Sequence, residues 1–165
     1  MDGLSKERIA ELAWLAGLVD GEGHIGASRK KSRKKRKDGT ETLWMTFEPV
    51  ITIIMGHEEA CRRAFEITGE GTVVLCGLSI TGKEMWRWRA RNQSAARALR
   101  LLSPYLIVKK RQAEIVLQVA EINGQYQSTR RWRARSPELT SHMEKLRGEL
   151  DGLQSYTGHS RLTLN

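Results

Sequence analysis

The stretch that decides the fold is Leu15-Ala16-Gly17-Leu18-Val19-Asp20-Gly21-Glu22-Gly23. It closes a segment with helical periodicity. Ser5 is an N-cap residue, Glu7 and Arg8 fill a first turn, and Ile9, Leu12, Ala13, Ala16 and Val19 recur at helical spacing. The pattern predicts a helix over 6–20, closed by Gly21 and Gly23. Ala13, Gly17 and Gly21 are four apart and share one face, and small residues there let a second helix approach closely. Asp20 and Glu22 fall where the helix ends. A helix C-terminus exposes unpaired carbonyls with partial negative charge, which favours a cation. A carboxylate plus a carbonyl at that point suits Mg²⁺, a hard ion that takes oxygen ligands and keeps several waters. The same residues also read as an ordinary helix end with two solvated acids.

Outward from this segment the chain alternates between strand and helix signals. Residues 24–29 read as a short strand. Residues 29–37, RKKSRKKRK, follow with Asp38-Gly39 as a long hairpin connection. Residues 41–55 are rich in Thr, Ile, Val, Trp and Phe and read as strand, with Pro49 marking a bulge or bend. Residues 58–68 predict a helix with Cys61, Ala64 and Phe65 inward, ended by Gly69 and Gly71. Residues 72–78 and 84–91 predict a strand pair about Thr81-Gly82. In the second, Trp86, Trp88 and Ala90 alternate with Arg87, Arg89 and Arg91. Helices are predicted over 94–102, 112–122 and 137–153, with a basic loop over 126–136. The order implies an α+β chain with a mostly antiparallel four-stranded sheet. No internal repeat is visible.

LAGLVDGEG resembles the signature of the LAGLIDADG homing endonucleases, and Trp14 before it and His24-Ile25-Gly26 after it fit the signature's surroundings. The element order is similar to that family's αββαββα unit over residues 5–122, with a C-terminal basic loop and helix over 123–165, all within one domain spanning 1–165. Pro104-Tyr-Leu-Ile-Val-Lys-Lys-Arg-Gln-Ala113 is similar to a second family segment, whose lysine assists at the active site.

The resemblance implies roles. Glu22 would be the catalytic, metal-binding acid, the Gly21 carbonyl a further ligand, and Asp20 a structural residue closing the helix near the interface. Lys109 would support the attacking water or the phosphate. The metal would be Mg²⁺, with Mn²⁺ or Ca²⁺ able to occupy the same place. With one signature in 165 residues, the chain would act as a homodimer whose signature helices cross on a two-fold axis through Ala13, Gly17, Asp20 and Gly21. Two Glu22 carboxylates brought together would repel unless cations neutralise them. The chemistry would be metal-assisted hydrolysis of one phosphodiester per strand, a staggered double-strand break in a long DNA target. One departure is evident: where the family often carries Gln near the end of its second strand, this chain reads Ile51-Thr-Ile-Ile-Met55. Thr52 and His57 are the polar residues at hand.

In the family the sheet lies along the major groove, where each base pair shows a distinct pattern. Arg87, Arg89 and Arg91 are the candidate readers, because Trp86 and Trp88 require burial; Ser28 and Lys30 are further candidates. Arg29, Lys30, Lys31, Arg33, Lys34, Lys35, Arg36 and Lys37 are candidate phosphate contacts, which position a protein without specifying sequence. Read otherwise, that run is a solvated loop or a nuclear import signal. The competing function on the same fold is a non-cleaving nucleic-acid binder, an intron maturase or a DNA-binding regulator, with intron RNA as a further partner.

Composition narrows the field. The net charge of +9 comes from 28 basic and 19 acidic residues, and eight of the basic ones lie in 29–37. The rest of the chain is near neutral, unlike a nonspecific DNA packager. The longest apolar run, 49–55, is far below the ~20 residues of a membrane span, and residues 1–20 lack the pattern of a secretory signal. Cys61 and Cys76 make no disulfide framework, so a reducing, intracellular setting is expected, the cytoplasm or nucleoid of a prokaryote or a phage-infected cell. Gly21-Glu-Gly-His-Ile-Gly26 matches GxGxxG literally, but a helix precedes it and a strand follows, the reverse of a dinucleotide site. His57-Glu-Glu-Ala-Cys61 is half of HExxH, and His142 and His159 lie far from it, so no zinc site is indicated.

Overall fold

Helix α1 (Lys6–Glu22) starts as its N-cap predicts, with the Ser5 side chain accepting a hydrogen bond from the Arg8 amide. It runs two residues beyond the predicted end, so Gly21 and Glu22 belong to its last turn. In this computed structural model, which describes residues 4–35, 37–128 and 137–156, the chain passes directly from Glu22 into β1 (Gly23–Lys35). Gly23 is required there by space rather than by backbone sign. Its φ is −84°, yet a Cβ would sit 2.8 Å from Val19 Cα and Val19 O.

The remaining elements are β2 (Glu41–Met55), α2 (Glu58–Thr68), β3 (Thr72–Leu78), β4 (Glu84–Arg91), α3 (Asn92–Leu102), α4 (Lys110–Ser128) and α5 (Pro137–Tyr156). The sheet order is β1-β2-β4-β3 and every pairing is antiparallel. This is the predicted α+β architecture.

One sheet face packs on the helices. Ile25 and Ala27 of β1, Phe47, Ile51 and Ile53 of β2, and Trp88 and Ala90 of β4 are buried against Leu12, Leu15, Ala16 and Val19 of α1, Ala95 and Leu99 of α3, and Ile115 and Val116 of α4. The opposite face carries the intervening residues, and the register brings His24 opposite Thr52 and Thr52 opposite Arg89. Trp88 is fully buried, and its indole nitrogen donates to the Glu70 carbonyl. That carbonyl resolves the cost of burying a polar ring atom.

Several expectations change. Residues 29–35 are strand, not a connection: Arg29 pairs with Phe47 and Lys35 with Glu41 in unbroken register. Backbone pairing with 41–47 orders this segment despite its charge density. Pro49 produces no bulge. The β1 register runs straight through it, and β4 pairing begins only at Val50, so Pro49 sits where β2 has no β4 residue alongside. The bulge lies in β3 instead, between Leu75 and Gly77. Phe65 is exposed, because α2 buries Cys61, Ala64, Ile67 and Thr68. Helix α4 continues to Ser128 through the start of the predicted basic loop. Arg36, Trp132 and His159 lie outside the described residues, as do the loop arginines Arg130, Arg131, Arg133 and Arg135. Among the described residues no helix is long and apolar enough to cross a membrane.

Candidate nucleic-acid interface and active site

The signature acids part ways. Asp20 turns into the protein: Oδ2 accepts from the amides of Ile107 and Val108 at 2.8 and 3.2 Å, and Oδ1 from that of Lys109 at 2.9 Å. These amides precede the first turn of α4, where donors are left over by helix geometry and an anion is stabilised. Lys109 returns the interaction. Its Nζ donates to the carbonyls of Val19 and Asp20 at 2.9 and 2.7 Å, capping the negative end of α1 with a cation. The lysine is 5% exposed. Burial pushes its pKa below the ordinary lysine value, while the carboxylates of Asp20 and Glu22 act in the opposite direction. The start of α4 and the end of α1 are thus reciprocally capped by each other's side chains.

Glu22 is exposed, at the junction with β1. Lys109 takes up the Val19 and Asp20 carbonyls, and the Gly21 carbonyl lies beyond them in the same turn as the Glu22 carboxylate. Among the described residues no three His, Cys, Asp or Glu side chains cluster to hold a metal. One chain therefore offers one carboxylate and neighbouring carbonyl oxygen. These are hard donors that fit a divalent ion whose remaining ligands come from water, phosphate oxygens or a second copy.

Among the described residues the outer face of α1 is uncovered. Ala13, Trp14, Gly17 and Gly21 are exposed while Leu12, Leu15, Ala16 and Val19 are buried. A Cβ at Gly17 or Gly21 would meet nothing within 4 Å. Trp14 also borders an open groove of about 690 Å³ shared with His57, Glu59, Ala60, Arg62, Arg63 and Glu66.

The arginines of β4 lie on the sheet face away from the helices, as their alternation with Trp86, Trp88 and Ala90 requires. Arg87 and Arg89 have buried Nε atoms without a hydrogen-bond partner among the described residues. Burial and the neighbouring charges of Arg91 and Arg87 hold the Arg89 pKa below its usual value. Such a cluster stores unmet demand for anions or base acceptors.

The basic strand splits by register. Ser28 and Lys30 share the arginine face. Arg29 lies on the opposite one and pairs with Glu144 of α5 at 3.0 Å. Lys31, Arg33, Lys35 and Lys37 are exposed, and Lys34 holds a strand position opposite Thr42. Of the two polar residues at the end of β2, Thr52 donates its hydroxyl to the Trp88 carbonyl at 2.9 Å and is buried. His57 stands before α2, in the groove beside Trp14.

Two residues escape sequence reasoning. Glu48 is a buried acid on the arginine face, in ionic contact with Lys30 and Arg91. Asn92, at a left-handed φ of 52°, donates to Glu48 at 3.0 Å. The available signal was a lone acid inside a Thr/Val/Ile strand.

No family model and no curated protein matches the chain in sequence. Solved structures do match it. It is similar to the homing endonuclease I-CvuI, solved with DNA in the presence of Mg, at 22% identity and a TM-score of 0.65, covering 90% of this chain and 85% of that one. It is also similar to the archaeal intron-encoded homing endonuclease I-Vdi141I complexed with DNA, at 20% identity and a TM-score of 0.63, covering 90% and 86%. A third match is the LAGLIDADG homing endonuclease I-SmaMI bound to cleaved DNA, at 18% identity and a TM-score of 0.63, covering 93% of this chain and 48% of that one. The chain has the LAGLIDADG homing-endonuclease fold. In this chain Leu15–Gly23 occupies the end of α1 and the start of the edge strand β1.

Proposed function

We propose that the chain is a sequence-specific DNA endonuclease of the LAGLIDADG type, working as a homodimer that cuts both strands of a long target with a stagger. The observation that carries the reading is the division of labour at the signature. Asp20 is spent on three amides of the α4 start, and Glu22 is exposed one turn from an uncovered, small-residue helix face. Homing endonucleases of the same fold solved with DNA support it. The chain covers 85% of the length of I-CvuI and 48% of that of I-SmaMI.

In this reading Ala13, Gly17 and Gly21 of two copies meet, and each Glu22 addresses one strand. Glu22 and the Gly21 carbonyl hold the divalent ion, for which Mg²⁺ fits best and Ca²⁺ or Mn²⁺ are alternatives. When bound, the ion lowers the pKa of a ligated water and polarises the phosphate. Lys109 holds the carbonyl end of α1 beside Glu22 and adds positive charge beneath the site, which stabilises charge developing on the phosphate. Arg87, Arg89 and Arg91, with Ser28 and Lys30 on the same face, read bases in the major groove, while Lys31, Arg33 and Lys35 contact backbone.

The test is cleavage of a library that includes the junction at which the gene is inserted, with Mg²⁺ supplied. Wild-type protein should leave a staggered cut. Glu22→Gln should bind the same duplex and lose cleavage by about a hundredfold or more; normal cutting by that variant would remove Glu22 from the mechanism. Gly17→Leu should give a monomer mass by light scattering, and an unchanged dimer would refute the helix-face interface.

A further inference from the structure

The arginine-bearing face holds a carboxylate that a DNA-binding surface would be expected to avoid. Glu48 is 6% exposed, yet it lies on the side of the sheet away from the core. The Lys30 ammonium is 2.7 Å from Oε2, as an ion-pair contact, and Arg91 Nε is 3.8 Å from Oε1. The side chains of Lys30 and Arg91 are 51% and 49% exposed against 7% for that of Glu48, so the acid forms a floor beneath two half-exposed cations. The register explains the arrangement. Glu48 is paired with Ser28, two residues before Lys30 on β1, and Arg91 is paired with Val50, two residues after Glu48 on β2. Both cations reach it diagonally on one face. A third contact fixes the carboxylate from the corner of the sheet. Asn92 Nδ2 donates to Oε1 at 3.0 Å, from a residue whose φ of 52° few side chains other than Asn tolerate.

We propose that Glu48 is a positioning residue for base discrimination, holding Lys30 and Arg91 over the sheet so that they meet base edges and are penalised for turning to phosphates. The inference rests on the endonuclease reading above. The physical reason is the burial of the acid. In a nonspecific complex, Lys30 and Arg91 gain most by swinging to the backbone, since phosphate contacts supply nearly all of nonspecific affinity. That movement strips a buried carboxylate of both cations and leaves it with Asn92 alone, which is costly for a charge out of water. In a matched complex the two side chains stay in place and present their remaining donors to acceptors in the groove. Glu48 therefore weakens wrong complexes more than right ones, and specificity is the difference between the two.

The geometry also says where on the target the effect falls. From Gly23, next to Glu22, to Lys30 the strand advances roughly 23 Å at about 3.3 Å per residue, or about seven base steps at 3.4 Å. Arg91, paired with Val50 and so level with Gly26, stands four residues, or about 13 Å, nearer the Gly23 end, at about three base steps.

The test uses full-length Glu48→Gln, which keeps shape and an acceptor for Asn92 and removes only the charge. Its affinity is measured for a duplex selected by wild-type protein from a randomised pool, for a scrambled duplex, and for single base-pair variants of the selected duplex. The scrambled duplex should bind more tightly than to wild type. The selected-to-scrambled ratio should fall about tenfold, the worth of one good base contact. The loss should concentrate between about three and seven steps from the cut. An unchanged ratio, with both duplexes tightened equally, would overturn the proposal and leave Glu48 a mere charge. A wild-type protein that does not prefer its selected duplex would instead overturn the endonuclease reading. Should Glu48→Gln fail to fold, Lys30→Met, Arg91→Met and the double variant answer the same question. Losses that overlap and are less than additive support a shared anchor, and strictly additive losses overturn it.

Discussion

The two halves of β1 are one continuous strand under opposite physical regimes. Residues 23–27 lie against the body of the protein, and all but His24 are buried. Gly23, Ile25 and Ala27 are buried, Gly23 touches the backbone of α1, and the Ile25 carbonyl accepts from Gln154 of α5. Residues 28–35 leave the body as a charged ribbon held by pairing to β2. The inner half is set by contact and tolerates little change of volume. The outer half is set by backbone hydrogen bonds; Arg29 and Lys30 pair with Glu144 and Glu48, and beyond them Lys31, Arg33 and Lys35 are exposed. Mutation should therefore affect stability at one end and binding at the other.

The largest effect is expected at the inner end. Gly23→Ala places a Cβ against Val19 Cα and O at 2.8 Å, both backbone atoms that cannot swing aside. It should cost about 1–3 kcal/mol, the usual range for overpacking, and displace Glu22 from its place at the end of α1. Thermal melting and cleavage should fall together, and an unaffected melting point would show that the junction is looser than its interatomic distances indicate.

Joint replacement of Lys31, Arg33 and Lys35 by Gln should leave the melting point within the ±0.5 kcal/mol typical of surface changes. DNA affinity should drop for every sequence, and the salt dependence of log K should flatten by about 0.9 for each phosphate no longer neutralised. A loss confined to one base pair would make the ribbon a reader and erase the contrast between it and the arginine face.

The smallest effect sharpens the comparison from outside β1. Glu70 accepts from Ser94 and Arg97, and those bonds hold its carboxyl below the ordinary value of 4.5. A depressed folded-state pKa adds stability above the unfolded value, and that stability is lost as the pH falls from about 4.5 through the folded value. Glu70→Gln should lower neutral-pH stability by less than about 1 kcal/mol, since Arg97 is solvent-exposed and screened. The two proteins should converge on acidification. A constant gap at all pH values would assign the loss to packing rather than charge.

Much of the frame was legible because it depends on local pattern. Alternation in 84–91 placed the tryptophans inside and the arginines outside. The bounds of β2, α2, β3 and β4 follow from β-branched runs and glycine stops. Where the sequence misled, a tertiary partner overrode a local rule. A run of eight basic residues in nine reads as a loop by charge, but β2 offers residues 29–35 a ladder of hydrogen bonds. Pro49 reads as a break, but the pairing of β2 with β4 begins only at the next residue, Val50. Phe65 reads as core, but α2 turns its opposite side to the sheet. The site divides in the same way. Two signature acids two residues apart are alike in composition; the family resemblance gave them different expected roles, and the placement of α4 spends Asp20 on three amides while Glu22 stays exposed.

By itself, then, the sequence determined the element order, the sheet face that carries the arginines and the segment that carries the acids, because periodicity and composition act within a few residues. The tertiary structure decided which acid is spent on capping, what holds Lys109 and what lies beneath Lys30 and Arg91. Each of those is a meeting of residues far apart in the chain, from Asp20 to Lys109 and from Glu48 to Asn92. Local pattern carries no information about such distances.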